Sequence, residues 1–172
     1  MENVTSATNS SDQMLYTKLT GDNIGYVYQD IELPKGKTMN GLYFEAEIKM
    51  EGYKGNDMLA DPVEMFLDVV LSDDSKELGE IWYANIQAHA LEGSGLVGVP
   101  GTHQSTGTRA IIQLGDGYHR IKDNLYAKAL DSLSGVNPED VRKITLSCVM
   151  YTRSKYAKAE IYLDKVKLYY AK

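Results

Sequence analysis

Cysteine occurs once in the 172 residues, at Cys148, which excludes an intramolecular disulfide and any cysteine-built zinc cage. No apolar run approaches the ~20 residues that a membrane-spanning helix requires. Histidine is scarce too. His89, His103 and His119 lack the close helical spacing of a zinc-protease motif. The first residues, MENVTSATNSSDQM, have neither the basic start nor the apolar stretch of a signal peptide. Residues 1–14 therefore read as a flexible lead-in, and 15–172 as a single domain.

Phenylalanine and tryptophan are almost missing as well, with two and one residues against 13 tyrosines. Tyrosine joins a flat apolar ring to a polar tip, so this chain has put its ring surface where water or a polar ligand can meet it. Net charge is −6 and unevenly spread: residues 1–117 hold 7 basic and 18 acidic side chains, and 118–172 hold 11 and 6. Such an acidic chain, with pI near 5.1, is poorly suited to gripping phosphate backbones, so neither nucleic acid nor membrane is an expected partner.

Side-chain character alternates with period two, and helical periodicity hardly appears. In 42–50, Leu42, Phe44, Ala46, Ile48 and Met50 share one face, with Tyr43, Glu45, Glu47 and Lys49 on the other. Residues 143–151 behave likewise, and place Cys148 on the buried side as a small hydrophobe. Further strands are expected at 24–33, 64–71, 80–90, 108–114, 118–126 and 158–170, separated by turn signals such as Pro34-Lys35-Gly36 and Gly115-Asp116-Gly117. Asn137-Pro138-Glu139-Asp140 suits a short capped helix. The pattern predicts an all-β fold, an antiparallel β-sandwich of jelly-roll type with one short helix. In the last strand the apolar phase slips at Asp164-Lys165, which predicts a β-bulge that re-aims Asp164.

Several catalytic motifs fail on inspection. Lys35-Gly36-Lys37-Thr38 lacks the upstream glycine of a phosphate loop, and Gly93-Ser94-Gly95 lacks the pattern of a nucleophile elbow. Glu45 and Glu47 share a strand face about 6.6 Å apart, a permissible glycosidase spacing, but they point side by side with no room between them for a sugar. Glu64 and Asp68 are two acids four residues apart, where laminarinase-type hydrolases carry an acidic triad on alternate residues. These readings predict a protein that is not an enzyme.

The closing run Ala159-Glu160-Ile161-Tyr162-Leu163-Asp164-Lys165-Val166-Lys167-Leu168 resembles the final strand of non-catalytic carbohydrate-binding modules of the galactose-binding-like β-sandwich type. The segments Tyr28-Gln29-Asp30-Ile31-Glu32-Leu33-Pro34 and Tyr118-His119-Arg120-Ile121 fit them too, and the mannan- and β-glucan-binding branches are most similar. The resemblance implies binding of a β-linked plant or algal polysaccharide by a domain attached to a larger, secreted enzyme. It also implies a structural calcium ion with Asp164 as a ligand.

A sugar offers apolar C–H faces and equatorial hydroxyls, so its site needs stacking rings beside amide or charged groups. The 80–90 strand supplies both: Tyr83, Asn85, Gln87 and His89 on one side, with Trp82, Ala84 and Ile86 forming a core-like face on the other. Tyr151, Arg153 and Asp68 extend the ligand surface. If the phase of this strand is reversed, Trp82 becomes the stacking platform instead. Two other functions compete: a small β-sandwich glycoside hydrolase or lyase, and a protein-interaction sandwich without a sugar site.

Overall fold

Alternation of apolar and polar side chains generates nearly every strand of this protein. The computed structural model describes residues 4–9, 14–53, 63–85, 103–105, 108–152 and 154–171. In chain order the strands are β1 (Val4–Asn9), β2 (Met14–Thr20), β3 (Asn23–Glu32), β4 (Leu42–Tyr53), β5 (Glu64–Ser72), β6 (Glu77–Ala84) and β7 (His103–Ser105). They continue with β8 (Arg109–Gln113), β9 (Gly117–Asn124), β10 (Lys143–Thr152) and β11 (Lys158–Tyr170). Helix α1 (Leu125–Ser132) and a 3₁₀ turn (Pro138–Asp140) lie between β9 and β10.

Two sheets form, in the orders β1-β2-β11-β4-β9 and β3-β10-β5-β6-β8-β7, giving the expected all-β sandwich. All described pairings are antiparallel except β6 with β8, where the chain returns to run parallel. Val4–Asn9, inside the stretch read as a lead-in, pairs with β2 along its whole length. The bulge in β11 falls where the hydrophobic phase slips: the register with β4 shifts between Asp164 and Lys167, and Lys165 has φ of 51°.

Between the sheets, the inward residues of β4 (Phe44, Ile48, Met50), β5 (Met65, Leu67, Val69, Leu71) and β10 (Ile144, Leu146, Cys148, Met150) make the core. Burial drives the Cys148 thiol up to about 12, so it packs as a hydrophobe. Gly79 on β6 is required by close approach. A Cβ there would lie 2.7 Å from both the Thr108 carbonyl and Val136 Cγ2. Helix α1 begins where a strand was expected to continue, because Asn124 ends β9 as a cap, its Oδ1 accepting from Ala127 N at 3.1 Å. Asn137 caps the 3₁₀ turn in the same manner.

The phase of β6 is opposite to the favoured reading. Tyr83, expected on the outside, is 2% exposed and packs in the core against Phe44, with ring centroids 6.1 Å apart. Its hydroxyl donates to Asp123 Oδ2 at 2.6 Å. Burial, with the Asp123 charge and hydrogen bond behind it, raises the Tyr83 pKa well above its usual value, so the phenol stays a donor. Asn85, also expected outside, is buried. Its Oδ1 accepts from Met65 N at 2.7 Å, and its Nδ2 donates to Val63 O at 3.0 Å and Asp116 Oδ1 at 2.8 Å. These bonds stitch the β6 end to the start of β5 and to the turn before β9.

Tyr83→Phe should therefore lower stability by about 1–2 kcal/mol, and Tyr83→Ala by about 3–5 kcal/mol. Urea denaturation checks this. Midpoints unchanged in both variants would mean that the ring lies outside the core.

Candidate functional site

With the odd-numbered residues of β6 turned inward, its even-numbered ones stand on the outer face of the six-stranded sheet. There Phe66, Trp82, Ala84 and Ile111 form a second buried apolar cluster, with Val149 packed beside it. Register places this face in rows that run across the strands. One row is Tyr26, Val149, Phe66, Ala84 and Gln113, and the next is Tyr28, Ser147, Asp68, Trp82 and Ile111. A third runs through Asp30, Thr145, Val70, Glu80 and Arg109. Glu64 and Tyr151 sit opposite each other at one end of β5.

Three carboxyls collect around the tryptophan. Trp82 Nε1 donates to Glu80 Oε2 at 2.8 Å, and Arg109 Nε forms an ion pair with Glu80 Oε1. Phe66 stacks on the indole at 4.2 Å, and the Arg109 guanidinium lies 4.3 Å from the ring centre. Phe66 comes from β5 and Arg109 from β8, the two neighbours of β6, so the indole is sandwiched between them. Its faces are thus taken, and Trp82 is a fixed wall of the site with no free face for a sugar.

Asp68 is 8% exposed, lies within electrostatic reach of Glu80, and among the described residues its Oδ1 is buried without a partner. Burial, followed by the charges of Glu80 and Glu77, pushes its pKa up to about 8, with Arg109 opposing them too weakly to reverse the shift. Glu77 is raised for the same reasons, burial first and then Glu80. The outcome is a buried carboxyl biased towards its protonated form beside the Glu80–Arg109 ion pair. Gln113 Oε1, on the same face, is also buried without a partner. Such orphaned polar atoms cost free energy unless something meets them.

Exposure falls steadily across the face. Tyr26 and Tyr28 on the edge strand β3 are each 61% exposed, Ser147 and Val149 on β10 are half-buried, and Phe66 and Asp68 on β5 are buried. Among the described residues, the open approach to Asp68 is from the β3 side.

Of the residues expected to bind a ligand, the structure brings together Asp68, Trp82 and Tyr151 on one face. It sends Tyr83 and Asn85 into the core, which corrects their assignment to the outer side. Gln87, His89 and Arg153 lie outside the described residues. Glu80, Arg109, Gln113, Tyr26 and Tyr28 were not named as candidates, and Glu64 was weighed only as half of an incomplete acidic triad. The alternation of β5 and β6 carries Glu64 and Glu80 once the phase of β6 is known, and cross-strand register brings in the others from β3 and β8.

The other outer face consumes its charges internally. Glu45 pairs with Lys122 at 3.0 Å and accepts from Tyr169 Oη at 2.6 Å, while Glu47 pairs with Lys165 at 2.8 Å. Hydrogen bonds from these partners hold both carboxyls below the usual range, so they are anchored carboxylates and not a proton-exchanging pair. Asp164 accepts from Lys165 N at 2.7 Å and stands in register with Glu47. The cation beside it is thus the Lys165 ammonium. Among the described residues no group of three or more His, Cys, Asp or Glu is arranged to hold a metal ion.

No family model and no curated protein matches the chain by sequence. Solved structures do match its fold. The catalytic domain of Humicola grisea Cel12A, in complex with a thio cellotetraose, aligns with a TM-score of 0.58 and 10% identity over 95% of this chain and 83% of that one. The xyloglucanase domain of NopAA from Sinorhizobium fredii, in complex with cellobiose, aligns with a TM-score of 0.53 and 11% identity over 98% and 87%. A family 11 carbohydrate-binding module from Clostridium thermocellum reaches only 0.43, at 17% identity over 99% and 85%, too little to argue from. The chain therefore has a jelly-roll β-sandwich fold. The expectation that it is not an enzyme is corrected, because the two folds described above with a TM-score over 0.5 are a catalytic domain and a xyloglucanase domain.

The raised Asp68 pKa carries a stability signature. Folding favours its protonated form, so stability is greatest below the unfolded value near 3.8 and declines as pH rises towards about 8. The slope from this one group is at most about 1.4 kcal/mol per pH unit. Urea midpoints at pH 5, 6.5 and 8 should fall progressively, and Asp68→Asn should flatten the decline and raise the midpoint at pH 8. An unchanged slope in that variant would show that Asp68 titrates normally.

Proposed function

We propose that this protein is a β-sandwich glycoside hydrolase acting on a β-linked glucan, with Asp68 as its proton donor. The observation that carries this reading is a buried carboxyl, protonated at neutral pH, on a sheet face that also holds open tyrosine rings. Hydrolysis of a glycosidic bond needs an acid to protonate the leaving oxygen and a second carboxyl across the sugar. Glu80 is not assigned that second role, because both of its oxygens are already held, by Trp82 Nε1 and by Arg109 Nε. Its part is to hold Asp68 protonated, itself fixed by Arg109 and Trp82.

Glu64 suits the second role. It is buried on the same face, four residues along β5, so the two Cα atoms are ~13 Å apart. Side chains leaning together across that distance bring the carboxyls towards the ~6.5–9.5 Å at which an acid and a water-activating base flank a sugar with inversion. Phe66 lies between them and would form the floor beneath the reacting ring. The sugar-bound state of neighbours of the same fold supports the substrate class, as their names give a cellotetraose and cellobiose as ligands.

Incubation with barley β-glucan, xyloglucan, glucomannan and carboxymethyl cellulose, followed by a reducing-end assay, tests the reading. New reducing ends from at least one glucan are expected. Asp68→Asn and Glu64→Gln should each reduce the rate by about 10²–10⁴. Because the acid must be protonated, kcat should fall as pH rises through about 8. Retention on a glucan with no product at any pH would overturn the assignment.

A further inference from the structure

Among the described residues, the two most exposed rings on the active face meet only each other. Tyr26 and Tyr28 alternate on the edge strand β3, both 61% exposed, with ring centroids 6.2 Å apart and planes inclined at 34°. Leaving two aromatic rings in water beside a buried apolar cluster forfeits burial that neighbouring Phe66 and Trp82 obtain. Both stand in rows that lead across β10 to the candidate chemistry: Tyr26 through Val149 to Phe66, and Tyr28 through Ser147 to Asp68. At the far end of the Tyr26 row lies Gln113, 8% exposed, with its Oε1 unpartnered.

Resting on the hydrolase reading, we infer that the glucan chain lies across the strands along the Tyr26–Val149–Phe66–Ala84–Gln113 row, and that Tyr26 and Tyr28 form a distal subsite that grips sugars beyond the cleaved bond. Asp68 and Glu64 belong to the rows on either side of that line, as a chain passing between an acid and a base requires. Two strand spacings, ~9.6 Å, separate β3 from β5, about the length of two pyranose units. The subsite thus takes the second or third sugar away from Phe66. A row across the strands also suits the ligand chemistry: rings for the apolar sugar faces at β3, and an orphaned acceptor for a hydroxyl at Gln113. Among the described residues, the half-buried Ser147 and Val149 between them place neither a charge nor a bulky ring on this path.

The consequence is a preference for length. A glucan oligosaccharide too short to reach β3 should bind without help from the tyrosines, and a longer one should use them. The test is calorimetric binding of cellobiose and cellohexaose to the Asp68→Asn variant, with and without Tyr26→Ala and Tyr28→Ala, alongside hydrolysis of both sugars by the chain with Asp68 intact. Cellohexaose should bind about tenfold or more tightly than cellobiose, and the double tyrosine substitution should remove most of that ratio. Tyr118→Ala, equally exposed but on the opposite sheet, should leave the ratio intact.

A ratio unchanged by the double substitution overturns the subsite and leaves the hydrolase reading standing. Length-dependent binding that disappears with the tyrosines, but with no hydrolysis of either sugar, supports the subsite and overturns the hydrolase reading. Absence of binding to both oligosaccharides overturns the two together.

Discussion

Tyr83 decides which side of β6 faces which way. Its ring fills the space beside Phe44, and its hydroxyl reaches across the sandwich to Asp123 on β9, next to the start of α1. A strand can present a given residue to only one face, because side chains alternate with a period of two. Once Tyr83 is committed to the core, Glu80, Trp82 and Ala84 must stand on the outer face opposite Asp68 and Phe66. The buried amide of Asn85 secures the same phase from the end of the strand by bonding to the backbone of β5 at two points. The acid cluster is thus a by-product of core packing one residue away.

That cluster is expensive. Asp68, Glu77 and Glu80 lie within mutual electrostatic reach, and burial opposes ionisation of the first two. A single arginine neutralises only Glu80, which leaves Asp68 to hold its proton. An apolar trio at these positions would leave no charge to desolvate, and replacing buried ionic groups in this way is commonly neutral or stabilising. Retaining carboxyls with one protonated is the arrangement that general acid chemistry needs at neutral pH. Trp82 and Arg109 serve it by position: the indole N–H and the guanidinium N–H each take one oxygen of Glu80, and stacking locks both donors in place.

The two outer faces use similar residues for different ends. On the five-stranded sheet, Tyr16 stacks with Tyr162, Tyr43 stacks with Tyr169, and carboxylates are matched one by one to lysines or to tyrosine hydroxyls. Those rings and charges satisfy one another across strands, as ladder pairs do. On the six-stranded sheet the exposed tyrosines of β3 meet only each other among the described residues, at a tilt, and Asp68 is buried with an unmatched oxygen. Tyrosine abundance alone carries no function. What distinguishes the faces is whether each polar group has already found a partner.

The strands β3, β4, β5, β8, β10 and β11, their sandwich arrangement, the burial of Cys148 and the bulge beyond Asp164 were all legible in the sequence, because alternation and phase slips are local signals. Helix α1 was missed, since its Asn124 cap follows directly on a strand whose apolar pattern runs into the helix without a break. The site was legible only in outline. Asp68 and Trp82 were named as candidates and share the outer face, but in β6 every residue from Glu80 to Ala84 is buried, on one face or the other. A strand buried on both sides has no polar–apolar contrast from which to read its phase. Sequence therefore determined that Trp82 and Tyr83 point to opposite faces. Only the tertiary structure decided which of them meets the core, because that depends on Phe44 and Asp123, some 40 residues away on either side, being brought beneath the ring.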